Sequence, residues 1–194
     1  MRSFMPDHDD ISLETARKHL GWFNIQHWRP SESGPVLVHE EQAFNELFNE
    51  GEYLFLDVVL RNGTAPASFY MGMMSNALAT LPAKSSTLAS LDIAGPYELN
   101  NSSDPGYTVR GTVARSTVGW PVLSLAGGDY QATSIQVTFT ATGNFSDVIR
   151  WMFLTTVATA GDTTGKLIAI AQLSADRTLL NGDSLAITYN LKQT

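Results

Sequence analysis

The sequence predicts a mainly β protein: an antiparallel β-sandwich or jelly roll with an N-terminal extended arm and one or two helices. Two observations lead there. Ile135, Val137 and Phe139 alternate with Gln136, Thr138 and Thr140, and Leu185, Ile187, Tyr189 and Leu191 alternate with Ala186, Thr188, Asn190 and Lys192. A period of two is that of a strand with one face buried. Further runs rich in β-branched and aromatic residues follow at short intervals with turns between them and no helical pattern, which favours antiparallel sheets over a parallel α/β arrangement.

Taken in order, the elements divide the chain into three. Residues 1–38 read as the arm: Ser12 can cap a short helix through Leu20, and Gly21, Pro30, Ser31, Ser33, Gly34 and Pro35 then break any regular pattern. Trp22, Phe23 and Trp28 fall in this arm. An irregular segment cannot bury three rings by itself, so these are candidate anchors on a neighbouring protein. Residues 39–62 are expected to form a helix packed on the sandwich, because Ala43, Phe44, Leu47, Phe48, Leu54, Phe55, Val58 and Val59 recur at roughly helical spacing. Gly51 interrupts that run and Asn62-Gly63 ends it.

Residues 63–194 are expected to be the sandwich domain. Ser68–Met74, Tyr107–Arg115, Val148–Val157 and Leu167–Leu173 add strands to the two alternating ones, and Asn101–Gly106, Ala126–Asp129, Gly161–Gly165 and Asn181–Asp183 supply turns. The stretch Ala77–Ser90, with Pro82 at its centre, reads as a loop or short helix inserted between strands.

Composition narrows the function. At 194 residues, 43% apolar and only 16% charged, the chain is expected to fold around one core. A net charge of -7 disfavours a broad phosphate-binding surface, so no nucleic-acid partner is expected. Without cysteine the chain has neither disulfides nor thiolate ligands. The N-terminal sequence has no apolar core of a signal peptide and no stretch is long enough to span a bilayer, which reads as a soluble, unexported chain with no membrane partner.

Motifs that carry chemistry are weak. Gly161-Asp162-Thr163-Thr164-Gly165-Lys166 superficially resembles a phosphate loop, but it is one residue short and is followed by Leu167 and a strand, so a hairpin turn is the better reading. His8, His19, His27 and His39 lack the spacing of a zinc-binding helix face. Asp104, Asp129, Asp162, Asp176 and Asp183 sit in turn-like surroundings where the side chain caps backbone amides, leaving Asp147 as one acid at a strand position. Neither a nucleophile elbow nor a histidine in the sandwich is present. No catalytic residue, metal or other cofactor is expected. Tyr107, Trp120, Tyr130 and Trp151 could stack on a sugar, although core packing is the plainer role. Arg110, Arg115 and Arg150, in strand-like runs, join Trp120 as candidate interface anchors, with Asp129 or Asp147 as ion-pair partners.

An ordered series of short segments carries a resemblance. Gly63–Gly72, Gly106-Tyr107 with Arg110 and Arg115, Gly119-Trp120-Pro121, Val137–Ala141, Thr155-Thr156, Gly165–Ala169, Leu173-Ser174, Arg177–Leu179, Asn181–Leu185 and the strand containing Tyr189 together resemble small virion structural proteins of tailed bacteriophages. The resemblance spans roughly residues 50–194 and lies in the order of the segments, since each alone is unspecific.

It implies a β-sandwich building block, made in the host cytoplasm and incorporated into the virion, that binds other capsid or tail proteins and forms a homo-oligomer. Capsid cement or decoration is the first expectation, ahead of a neck, tail or tail-fibre component. A carbohydrate-binding jelly roll for host attachment and a wall-degrading hydrolase are the rival readings. The first would need exposed aromatics beside Asp or Asn, the second two convergent carboxylates in a cleft.

Overall fold

The computed structural model describes residues 20–91 and 97–192. In chain order it contains β1 (Leu20–Arg29), β2 (Val36–Glu46), α1 (Asn49–Leu60), β3 (Ser68–Ser75), β4 (Gly111–Ala114), β5 (Val122–Ala126), β6 (Asp129–Thr133), β7 (Val137–Thr140), β8 (Ile149–Thr155), β9 (Leu167–Arg177) and β10 (Ser184–Lys192). Two antiparallel sheets face each other, as the alternating patterns require. One runs β2-β1-β10-β6-β5, with β7 also paired to β10, and the other runs β4-β3-β8-β9. The protein is a mainly β sandwich.

The most regular alternation in the sequence belongs to β10, and that strand lies inside its sheet. Its whole length pairs with β1, while its other flank is shared by β7, opposite Ser184–Ile187, and β6, opposite Asn190–Lys192. Leu185, Ile187 and Tyr189 point into the core. Ser134 fills the gap between β6 and β7: its N–H donates to the Tyr189 carbonyl at 2.9 Å and its hydroxyl accepts from the Tyr189 N–H at 2.8 Å.

Two expectations are corrected. Residues 20–29, placed in the arm by the sequence, are an internal strand hydrogen-bonded on both sides, to β10 and to β2. Phe23, Ile25 and His27 point inward and alternate with half-buried Trp22, Asn24, Gln26 and Trp28. This is the same period-two signature, hidden in the sequence by the Pro and Gly cluster that follows. That cluster is a hairpin loop, closed by the Ser31 hydroxyl donating to the Gly34 carbonyl at 2.6 Å, with Gly34 at φ 112. Burying Phe23 and Ile25 contributes roughly 1.5–3 kcal/mol each, so β1 belongs to the subunit's own core.

The helix expected over 39–62 is shorter, because residues 36–46 are β2. Ala43 and Asn45 face inward and Phe44 outward, a strand pattern that a run of adjacent apolar residues conceals. The helix starts only after Phe48. Its terminus is where the sequence places it: the Asp57 carbonyl accepts from both Arg61 and Gly63, and Asn62 takes a φ of 55. Gly51 does not interrupt the helix. It lets α1 lie directly on β9, since a Cβ there would stand 2.8 Å from the Ile168 carbonyl oxygen. The short helix expected around Ser12 lies outside the described residues.

The two flanks of the sandwich differ. On one, β2 meets β9: Leu47 bridges to Ala169, the Phe48 N–H donates to the Ile168 carbonyl, and Glu41 accepts from the Ser174 N–H and from Arg177 at 2.9 Å. On the other, β4 packs against β7, where a Cβ on Gly111 would run into the Val137 side chain, and among the described residues β5 pairs with β6 alone. The first flank is stitched, and on the second β5 is left as an open edge.

Candidate interaction surface

The seven interface candidates are dispersed through the fold. Phe23 is fully buried, its ring 4.7 Å from that of Tyr189. Arg110 is 1% exposed. Both are parts of the interior and present nothing to a partner. Trp22 lies half-buried on the outer face of the first sheet, opposite Phe44, and Trp28 lies half-buried at a register shift in the β1–β2 ladder. Arg150 is held by Asp176 through paired contacts of 2.8 Å. Arg115 is exposed and donates to the Pro66 carbonyl, and Trp120 is half-buried beside it. The proposed partners Asp129 and Asp147 take other roles: Asp129 lies 3.3 Å from Lys192, and Asp147 accepts from Ser103.

Arg110 belongs to a network that the sequence does not announce. Its guanidinium donates to both oxygens of Glu98, at 2.8 and 2.7 Å, and to the carbonyls of Val157 and Asp162, and it stacks 5.2 Å from the centre of the Phe153 ring. Glu98 also accepts from the Tyr107 hydroxyl and the Gly161 N–H. Burial, and then the Glu98 carboxylate, push the Tyr107 hydroxyl well above its ordinary pKa. With its donors and acceptors paired, this cluster locks the loop before β4 and the turn before β9 onto the second sheet.

A second cluster joins the hairpin loop to the start of β10. Asp183 accepts from His27 at 2.9 Å, from Arg29 at 3.0 and 2.8 Å, and from the Leu180 N–H. Burial alone would raise its pKa, but these donors outweigh it and hold the carboxyl at about 2. Of the other acids expected to cap turns, Asp104 and Asp162 do so, whereas Asp176 lies within β9 and accepts from the Arg150 and Asn76 side chains and Asp129 opens β6 beside Lys192. Asp104 accepts from the N–H groups of Asn100 and Asp147, and Asp162 from Thr164. Burial leaves Asp104 raised above its ordinary range despite those donors. The Gly161–Lys166 segment is the connection between antiparallel β8 and β9, with the strand beginning at Leu167. His8 and His19 lie outside the described residues, and among the described residues no His, Cys, Asp and Glu cluster could hold a metal ion.

The feature that remains is apolar and open. Leu191 on β10, Ala132 on β6 and Leu123 on β5 are register partners along one row, and Tyr130 with Leu125 forms the next. Paired residues share a face, so this row extends the inner face of the first sheet beyond the cover of the second. There Leu123 is 73%, Leu125 65% and Tyr130 63% exposed. Next to it a groove of about 270 Å³ opens between α1 and the Trp120 loop, lined by Phe55, Val58, Pro66, Arg115, Trp120 and Leu191 among others. Trp120 stands edge-on to Phe69 and Tyr189, which fixes its ring as a wall. Arg115 makes no ion pair among the described residues. Of the aromatics considered for sugar stacking, Tyr107 and Trp151 are internal, leaving Trp120 and Tyr130 at the surface.

A scan against protein-family models and a search of curated proteins each return no match. Among the described residues no helix is long and apolar enough to cross a membrane.

Proposed function

We propose that this chain is a structural subunit of a tailed-phage virion, a capsid cement or decoration protein that acts by binding neighbouring virion proteins. The carrying observation is the open edge strand β5. Its residues, Val122-Leu123-Ser124-Leu125-Ala126, bear no charge, and the flanking Gly119–Pro121 and Gly127-Gly128 add none. Edge strands that stay solitary are ordinarily guarded by lysine, proline within the strand or a covering loop, because their free N–H and C=O groups otherwise recruit another strand. Here the edge is uncharged and continuous with an exposed apolar face, which suits a subunit whose neighbours complete it. The order of the segments between residues 50 and 194, which resembles small phage virion proteins, supplies the biological setting.

The test compares the wild-type chain with Leu123→Lys/Leu125→Lys for binding to empty capsids, followed by light scattering. Both substituted side chains are already exposed, so the fold is retained. The proposal expects wild type to add a fixed mass per capsid and the double variant to add none. Equal binding by both would remove β5 from the interface, and no binding by either would turn attention to the neck and tail.

One observation supports a second reading. Tyr130 is exposed directly beside Asp129, the pairing of ring and carboxylate that a sugar-binding surface uses. Calorimetric titration with host wall oligosaccharides separates the two: heat that disappears in Tyr130→Ala supports host attachment.

A further inference from the structure

We infer that the outer face of the first sheet binds an uncharged, linear oligosaccharide, lying along β1 between Trp22 and Trp28. The site is on the opposite side of that sheet from Tyr130, and the inference stands whether or not the chain is a virion subunit.

Strand pairing builds this face in rows. Two middle rows run across β2, β1 and β10: Gln42, Asn24 and Thr188 in one, Glu40, Gln26 and Ala186 in the next. Paired residues share a face, and these alternate with the inward Phe23, Ile25, Leu185 and Ile187. At one end Trp22 is the partner of Phe44, and at the other Trp28 is the partner of Leu37. The two tryptophans are six residues apart on one strand, about 20 Å, so an extended chain of several sugar rings fits between them. Ala186 is too short to fill its position and floors a depression of about 250 Å³, walled by Asn24, Gln26, Gln42, Gln136 and Thr188.

The chemistry of the face selects the ligand. Glu40 is the one charged side chain of these rows, in a chain with 12 Lys and Arg and 19 Asp and Glu, and it accepts from the Gln26 amide at 2.9 Å. A phosphate, an acidic sugar or a nucleic acid finds no cation here. A protein partner is disfavoured by the layout. Protein interfaces surround an apolar centre with a polar rim, whereas this face has its polar groups in the centre and its rings at the ends.

A neutral sugar matches that order. Its hydroxyls both donate and accept, as the Asn and Gln side chains do, and the amides of Asn24 and Gln42 make no hydrogen bond among the described residues. At the end of the row Phe44 is 56% exposed, and its ring lies 6.1 Å from that of Trp22. Together the two rings offer an apolar platform to the C–H face of a sugar.

The test is calorimetric titration of the full chain with cellohexaose, chitohexaose, maltohexaose and mannohexaose. At least one should bind saturably with a Kd below about 1 mM. Phe44→Ala/Gln42→Ala should weaken that binding at least about tenfold, while Tyr130→Ala binds as wild type. Phe44 and Gln42 are both exposed, and matching thermal unfolding curves check that the fold is kept. In the wild-type chain the bound sugar should also reduce acrylamide quenching of tryptophan emission, because Trp22 and Trp28 end the site. No binding by any of the four sugars, an unchanged affinity in the double variant, or unchanged quenching at saturation would overturn the inference. Binding lost in Tyr130→Ala would overturn it too, and would move the sugar to the other face.

Discussion

Replacing Glu98 by glutamine should be among the most damaging single changes of one atom type in this chain. Glu98 and Arg110 have side chains 1% and 0% exposed, so the substitution leaves the Arg110 guanidinium charged in the interior without a counter-charge, its acceptors reduced to two backbone carbonyls and a neutral amide oxygen. Glutamine keeps one oxygen that can still accept from Arg110, but it carries no counter-charge, and its amide NH2 replaces an acceptor that Arg110, Tyr107 or Gly161 now uses. Breaking a buried ion pair from one side typically costs about 3–5 kcal/mol. For a chain of this size that corresponds to a fall in Tm of roughly 6–20 °C, at about 2–4 °C per kcal/mol. Urea unfolding followed by tryptophan fluorescence and circular dichroism gives the magnitude, with Glu98→Gln, Arg110→Met and the double variant measured together. The double variant should recover at least about 1 kcal/mol relative to the sum of the singles, because it removes the uncompensated charge. A Glu98→Gln loss below about 1 kcal/mol, or singles that add without coupling, would refute the view that this pair locks the loops to the sheet.

Two further outcomes follow from the same structure. Deleting residues 1–35 removes β1 from between β2 and β10, so the remainder should lose its cooperative unfolding transition and its near-ultraviolet dichroism; a truncated chain that still melts cooperatively would show that β1 is dispensable. The carboxyl of Asp183 is held at about 2, below its ordinary 3.8. A depressed folded-state pKa contributes stability above the ordinary value that is lost as pH falls through the folded one. The contribution is about 2 kcal/mol at neutral pH, lost between pH 4 and 2, and Asp183→Asn should be less stable at pH 7 and lose less over that window in acid titrations monitored by fluorescence.

The sandwich was legible because its central strand keeps an uninterrupted alternation from Leu185 to Leu191, which only a half-buried strand explains. β1 carries the same signal in Phe23, Ile25 and His27, but tryptophans at 22 and 28 on the opposite face and the Pro30–Pro35 cluster make it read as an irregular arm. Trp22 and Trp28 are large enough to be half-buried on the outside of a sheet, so ring size alone misassigns the inner face. β2 escaped because Phe44, Leu47 and Phe48 fit a helical spacing as well as the strand-to-helix transition that actually occurs. Gly51 reads as a helix breaker until the contact with Ile168 is seen. The Glu98 network joins residues 98, 107, 110, 157, 161 and 162, and no local periodicity links positions brought together by sheet pairing alone. The interface candidates show the same limit. Arg110 and Arg115 are alike in sequence context, yet one is sealed in the core and the other stands on the groove rim.

The central proposal, a structural subunit of a phage particle, is tested most directly by measuring this chain against the major capsid protein, by quantitative mass spectrometry, in purified particles from cells whose phage or prophage genome carries its gene. A virion subunit requires a fixed copy number per particle, a small multiple set by the particle's symmetry, that persists through a salt wash because apolar burial is insensitive to screening. Its absence from particles that are otherwise complete and infectious would contradict the claim.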